Sequence, residues 1–338
     1  MTAATETLEF GALQAAALDD PGDPAEVAAA FAAAAPGLAH VPLPGSGRTA
    51  VRFAVLEAVG AESPALGRLV EGHLDALAIL AELGAPPPDG ARLGVWAAEP
   101  AGATVTATPR RGGWQLHGAK PYASGAGDLT HALVTARAGD ERMLFLVGRD
   151  HWRSEPGTWQ AVGMAGSDSP TVMIDATLGA DALIADAGGY LRRPGFWHGG
   201  IGVAAVWFGG ARGVARPLRH AGREDRLSAH GAAHLGAVEV ALACGETLLA
   251  AAADAIDADP LDADRTGEAR ARVVRARIEQ VASETLDRVG RALGAGPLCH
   301  DRAHARRVAD LTVYLRQSHG DDDLACLGRL LAATAPAP

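Results

Sequence analysis

Three regimes of hydrophobic spacing divide the chain. Over residues 1–90 apolar positions recur at helical intervals: Ala-rich segments lie near Pro24 to Ala35, and Leu66, Leu69, Val70, Leu74, Leu77 and Leu80 share one face before Gly84 and Pro86 close it. That spacing predicts an amphipathic helix of about four or five turns. From Arg92 to about Arg192 the period shortens. LGVWAA, TVTATPRRGGWQLHGAK, HALVTARAG, RMLFLVGRD and TVMIDATLG are short, alternating or β-branched, and parted by Gly, Asp and Pro. They predict a small barrel or sandwich. Residues 198–335 return to long helical patterns, broken at Asp259-Pro260 and at Gly294-Ala295-Gly296-Pro297. No repeat at solenoid spacing is present. The pattern therefore describes an α+β chain with an N-terminal helical domain over 1–90, a middle β-domain over 91–193, and a C-terminal antiparallel four-helix bundle over 194–338.

Composition narrows the partners. The chain has 338 residues, 48% of them hydrophobic, which is enough to bury several sub-domains around shared interfaces. Its net charge of −10 argues against a phosphate-backbone partner, because nucleic-acid binders need clustered Lys and Arg to release counterions. Cys244, Cys299 and Cys326 lack the close pairing of a C-x-x-C or zinc site, so they read as buried small hydrophobes in a reducing compartment, and no metal is expected. MTAATETLEFGALQ carries acidic residues where a signal peptide needs basic ones. The longest apolar run, Gly199 to Gly210, is about half of what spans a bilayer. A soluble cytoplasmic protein without nucleic-acid or membrane partners is the expectation.

Candidate chemistry concentrates between Gly94 and Gly127. Two apolar strands there end in small, polar corners: Trp96-Ala97-Ala98-Glu99-Pro100, and the run W-x-L-x-G-x-K-x-Y-x-S-G from Trp114 to Gly125. Both resemble the middle β-domain of the acyl-CoA dehydrogenase family, whose two corners jointly hold a flavin ring. The α, β, α order is also that family's order, and the resemblance covers roughly residues 40 to 330. It implies an acyl-CoA dehydrogenase-like fold and FAD as cofactor. Reduction places electron density near flavin N5 and O4, so donors must be preset there. Ser124 matches the family's hydroxyl beside N5, and Tyr122 the aromatic packed on the isoalloxazine. Trp96, Ala97 and Ala98 match the other corner, where Ala98 replaces the usual hydroxyl and leaves only main chain to donate. Taken singly, Ser124 reads as a turn serine and Lys120 as a solvated strand-end charge.

The resemblance also implies homo-oligomerisation, as a dimer or tetramer, because the family completes its FAD site across subunits. RALGAGPL is similar to the family's G-G-x-G segment, with Gly294 and Gly296 matching and Arg291 in place of a common Gln. A plain helix C-cap is the alternative. The R-x-x-x-F-G motif that holds pyrophosphate is replaced by GREDRLSAHG, leaving Arg223 or Arg226 as stand-ins or as solvated loop charges.

Catalysis by the family needs a carboxylate to remove an α-proton. At the position of its usual Glu, after R-V-A-D, this chain has YLRQSHGDDDLACLGR and no Glu. Flavin monooxygenases of the same fold place a His followed by an Asp about there, which makes His319 the candidate acid or base, with Asp321 to Asp323 as substitutes or orienters. A helix-end His on a polar surface is the alternative. The family's substrate-holding D-x-x-R is replaced by Gly195-Phe196-Trp197-His198-Gly199-Gly200, leaving His198 as a substrate-side candidate. The helix of Glu71, His73 and Asp75 corresponds to one that lines the family's substrate cavity. Glu71 and Asp75 are four apart on one face and His73 lies away from both, which argues against a metal site; the correspondence implies that Glu71 or His73 could face the flavin, and a solvated helix face is the alternative. PGSGRT lacks a P-loop lysine and reads as a loop, while GGIGVAAVWFGG predicts close helix packing.

Three functions follow in order. The first is FAD-dependent dehydrogenation of an acyl substrate such as a CoA or carrier-protein thioester, with the electron acceptor unassigned. The second is an O₂-using flavin monooxygenase of the same fold with His319 as acid or base. The third is a catalytically silent relative serving as a binding subunit.

Overall fold

A computed structural model describes residues 22–334 except Ala101 and Ala103. The segment MTAATETLEFGALQ, read above for its lack of a signal, lies outside the described residues. Three helices come first: α1 (Pro24–Leu38), α2 (Thr49–Glu62) and α3 (Pro64–Glu82). Helices α1 and α3 start as local chemistry dictates, with Asp23 accepting from the Ala25 N–H and Ser63 from the Leu66 N–H, each followed by Pro in the first turn. Helix α2 has no such local cap. Its start is capped from far along the chain by the Asp257 carboxylate, which accepts from the N–H groups of Gly47 (3.0 Å) and Thr49 (2.9 Å) and from the Thr49 hydroxyl (2.6 Å).

Strands β1 (Leu93–Trp96), β2 (Val105–Arg110), β3 (Gly113–Lys120), β4 (His131–Ala138), β5 (Glu141–Gly148), β6 (Trp152–Ser154), β7 (Val172–Gly179) and β8 (Leu183–Ala185) form one sheet in the order β6-β7-β3-β2-β4-β5-β8, with β1 also on β4. Strands β1 and β2 follow one another along β4: Leu93 to Trp96 pair in parallel with His131 to Val134, and Thr106 pairs with Arg137. Ala97 to Pro100, after β1, form the first corner. Strand β3 returns antiparallel to β2, and its last residue, Lys120, opens the second corner. Gly118 pairs with Val105 at a φ of 140°, and a Cβ there would stand 2.2 Å from the Thr104 carbonyl oxygen, so the motif requires its glycine.

The chain then returns to helices: α4 (Gly189–Arg192), α5 (Gly195–Arg223), α6 (Ala229–Ala258), α7 (Gly267–Leu293), α8 (Gly296–His300), α9 (Arg302–Tyr314) and α10 (Asp321–Thr334). Helix α5 is central and packs against α2, α3, α6, α7 and α9. Its small residues serve the close approach that GGIGVAAVWFGG predicts. A Cβ on Gly209 would lie 1.9 Å from the Glu57 carbonyl oxygen of α2, and one on Gly213 would lie 2.3 Å from that of Ala61. One continuous core joins α1, α2, α3, the sheet and α5 through residues such as Phe31, Leu56, Trp96, Phe145, Trp207 and Ile278.

Two expectations need correction. The cysteines are not buried: Cys244 and Cys299 are exposed and Cys326 is intermediate, because each sits on an outward helix face of this chain. The longest apolar run understated α6, which by length and composition alone could cross a membrane, with 33% of its most apolar stretch buried. Here it lies along α5 and α7.

Candidate functional site

The second corner is held by backbone bonds to the loop before β7. The N–H of Ala123 donates to the Pro170 carbonyl (3.0 Å), and that of Gly125 to the carbonyls of Ser167 and Asp168 (both 2.9 Å). Asp168 closes the clamp by accepting from the Gly127 N–H at 2.9 Å. Trp96 braces it from the first corner, its indole N–H donating to the Ser124 carbonyl at 3.1 Å. That residue is 2% exposed and edge-on to Trp152, so its side chain supports the corner and does not face a ligand. Ala97 is half-buried and Ala98 exposed beside it.

Ser124 is buried at the bottom of a small cleft walled by Arg68, Leu69 and Gly72 of α3, by Leu93 to Val95 of β1, and by Leu129. Its Oγ accepts from the Ser169 hydroxyl at 3.0 Å, and Ser169 lies 2.9 Å from Ser167, whose own proton goes to the Met164 carbonyl. Each hydroxyl has one proton to give. With Ser169 donating to it, Ser124 keeps its proton for the cleft. Tyr122 stands just before it at a φ of 57°, and its ring is 61% exposed. A left-handed tyrosine costs of order 1–3 kcal/mol and persists only where its surroundings enforce it.

Lys120 links the two corners. It is the chain's single lysine among 30 basic residues, and it is 1% exposed, not the solvated strand-end charge the sequence allowed. Its ammonium donates to Thr135 Oγ1 (3.0 Å) and to the Ala98 carbonyl (3.3 Å), with Glu99 Oε1 at 3.9 Å. Glu99 also accepts from Thr135, Arg137 and Arg142. Burial pulls the Lys120 pKa down to about 8 against the pull of Glu99, and Arg142 and Arg137 lower it further. Burial pushes Glu99 up, but bonds from Arg142 and Thr135 outweigh it and leave the carboxyl below its ordinary range.

On α3, Glu71 is 4% exposed and ion-paired with Arg68, not solvated. Burial pushes its carboxyl up to about 7 despite Arg68. His73 faces the other way, as its spacing predicts. Its Nδ1 accepts the Leu93 N–H at 3.1 Å, its ring meets Phe31 edge-on, and burial with some help from Arg52 pulls its pKa to about 4. It therefore pins α3 to β1 as a neutral imidazole. His198 plays a similar part at the start of α5, its Nε2–H donating to the Pro260 carbonyl at 3.1 Å.

The remaining candidates stand elsewhere. His319 lies between α9 and α10, is 78% exposed, and has Nδ1 3.8 Å from Asp323, which is itself paired with Arg272 of α7. Asp321 is exposed in the first turn of α10. The contacts of this loop run to α7, whereas those of Ser124 run to β1 and the loop before β7. Arg223 is exposed at the end of α5, while Arg226 pairs with Glu224. Arg291 pairs with Asp287 at 3.0 Å. Gly294 ends α7 at a φ of 65°, and open space surrounds both it and Gly296. In one chain these glycines do the work of a helix end. The serines at 167 and 169, and the burial of Lys120, escaped the sequence reading. That Lys120 is the sole lysine was the available signal.

No family model and no curated protein matches this sequence. Solved structures do. Dibenzothiophene monooxygenase TdsC from Paenibacillus sp. A11-2 superposes with a TM-score of 0.83 at 16% identity, over 99% of this chain and 98% of that one. This chain has the acyl-CoA dehydrogenase-like fold. XiaF from a Streptomyces species, solved with FADH₂ and glycerol, shares that fold with a TM-score of 0.77 and 19% identity over 99% of this chain and 96% of its own. The HsaA monooxygenase of M. tuberculosis does so at 0.75 and 16%, over 99% and 97%. TdsC has also been solved with FMN and with indole.

Proposed function

We propose that this chain is a flavin-dependent monooxygenase that uses O₂ to oxygenate a small molecule held between α3, the sheet corners and the C-terminal helices. The observation that carries the reading is the Ser124 corner: a buried hydroxyl with its proton free for a cleft, beside an exposed tyrosine ring and an exposed main-chain corner at Ala98. Those residues fit a flavin. Ser124 would donate to the ring's N5 edge, Tyr122 would offer a stacking face, and the Ala97-Ala98 main chain would meet the polar edge. A bound flavin supplies electron uptake and, when reduced, reactivity toward O₂. The chain's own part is to preset donors, exclude water and orient the substrate.

Oxygenation is favoured over acyl dehydrogenation on two grounds. The loop after α9 and the helix α10 carry no glutamate, and of the three aspartates in the first turn of α10 two are exposed and one is engaged by Arg272. TdsC and HsaA, which share the fold across their length, carry the name monooxygenase. His319 remains the proposed acid or base, brought to work by a bound substrate or a second chain. FAD is the proposed flavin if a second copy completes the Arg291 to Gly296 segment, and FMN if none does. The exposed apolar face of α6, with Val240 65% exposed, supports a homo-oligomer. A soluble cytoplasmic protein remains part of the proposal.

The test is anaerobic titration of the purified protein with reduced FMN and FAD, followed by stopped-flow mixing with O₂. Binding of one flavin, weakened about tenfold in Ser124→Ala, supports the reading, since one hydrogen bond contributes about 1–1.5 kcal/mol. Failure to bind or be thermally stabilised by either flavin sinks it. Bleaching of bound oxidised flavin by butyryl-CoA without O₂ would restore the dehydrogenase.

A further inference from the structure

A cluster of buried polar groups lies where α3, α5, α7 and α9 converge. Trp207 of α5 and Tyr314 of α9 are both fully buried, with rings edge-on at 6.1 Å. Neither the Trp207 indole N–H nor the Tyr314 hydroxyl has a hydrogen-bond partner among the described residues, and neither does Arg68 Nε. Leaving such groups unpaired costs about 1–3 kcal/mol each. Three orphaned groups, all able to donate, at one place ask for an acceptor.

The charges ask for the same thing. Arg52 is held by Asp75 at 3.6 Å and Arg68 by Glu71, which leaves Arg275 of α7 as the odd cation. Arg275 donates to the Gly200 carbonyl at 2.8 Å and lies 4.8 Å over the Trp207 ring, with no carboxylate in ion-pair contact among the described residues. Burial lowers its pKa and raises those of Glu71 and Tyr314, so the cluster is poor in water, and its two carboxylates, Glu71 and Asp75, leave one of the three guanidiniums of Arg52, Arg68 and Arg275 unmatched. Arg68 also walls the cleft at Ser124.

We infer that this cluster anchors the substrate and that the substrate carries a carboxylate, bound by the Tyr314 hydroxyl, the Trp207 indole N–H and the Arg275 guanidinium, with its reacting end directed past Arg68 toward Ser124. This rests on the proposed reading of the Ser124 corner. A carboxylate supplies about four lone-pair sites and the missing negative charge in one planar group.

Benzoate and its neutral isostere benzamide are the probes, titrated by ligand-observed NMR into the full-length protein loaded with flavin, and into Tyr314→Phe, Trp207→Phe and Arg275→Met. Benzoate should bind at least tenfold more tightly than benzamide. Tyr314→Phe and Trp207→Phe should each weaken benzoate about tenfold, and Arg275→Met should erase the preference. Because the deleted hydroxyl has no partner, ligand-free Tyr314→Phe should melt no lower than the parent, an outcome a structural role would not give. Equal binding of the two probes, no benzoate binding, or benzoate affinity indifferent to both aromatic substitutions overturns the inference. Flavin content, read from the visible spectrum of the same samples, separates the readings. Coloured protein without a benzoate preference removes only the substrate class, and colourless protein that prefers benzoate removes only the flavin.

Discussion

Lys120 offers the sharpest physical test of the corner. It is buried to 1% exposure between Thr135, the Ala98 carbonyl and Glu99, and its pKa falls from 10.5 to about 8. Folding therefore disfavours the ammonium relative to the unfolded chain. Between those two pKa values the unfolded state binds more protons, so stability rises with pH across that window and is level below and above it. A shift of that size corresponds to about 3 kcal/mol, an order-of-magnitude figure. The perturbation is Lys120→Met, which keeps the length of the chain and removes the proton. Glu99 stays satisfied by Thr135, Arg137 and Arg142, so the variant should fold. Urea denaturation followed from neutral pH upward should show the parent gaining about 3 kcal/mol that the variant does not gain. Because the chain has one lysine, selective ¹³C labelling gives a single side-chain signal whose titration reports the pKa directly. A midpoint at or above the ordinary lysine value, or an equal alkaline gain in Lys120→Met, would refute the account of the corner as a buried, desolvated clamp.

Two other consequences are as direct. Gly209→Ala forces a methyl against the Glu57 carbonyl where two helix backbones touch, and should cost about 3 kcal/mol or more and several degrees of melting temperature by calorimetry; Gly236→Ala, with open space around it on α6, should instead be neutral or stabilising. His73 is neutral when folded down to about pH 4, so the unfolded chain takes up its proton first and stability is lost as pH falls from 6.5 toward 4. His73→Gln should flatten that part of the acid-denaturation profile, and an unchanged profile would remove His73 as its source.

Sequence determined what is local or periodic. The α, β, α order follows from a switch between helical and alternating spacing, and α3 and α1 announce themselves through Ser63-Pro64 and Asp23-Pro24 caps that use only neighbouring residues. The W-x-L-x-G-x-K-x-Y-x-S-G run could be read in part because Gly118 under the Thr104 carbonyl and Ser124 at the corner meet needs set by one hairpin and one turn. That α5 packs closely against a neighbour was legible, since small residues four apart mark one helix face, but that α2 is the neighbour was not. What required the tertiary structure was everything set by partners distant in the chain. Helix α2 is capped by Asp257, more than two hundred residues away, so no local signal marks its start. Lys120 and Glu71 read as surface charges because burial is not written in a residue's neighbours. The cluster of Trp207, Arg275 and Tyr314 gathers three helices whose separate patterns carry only core spacing. Unpaired donors become a site only when packing removes the water that would otherwise satisfy them.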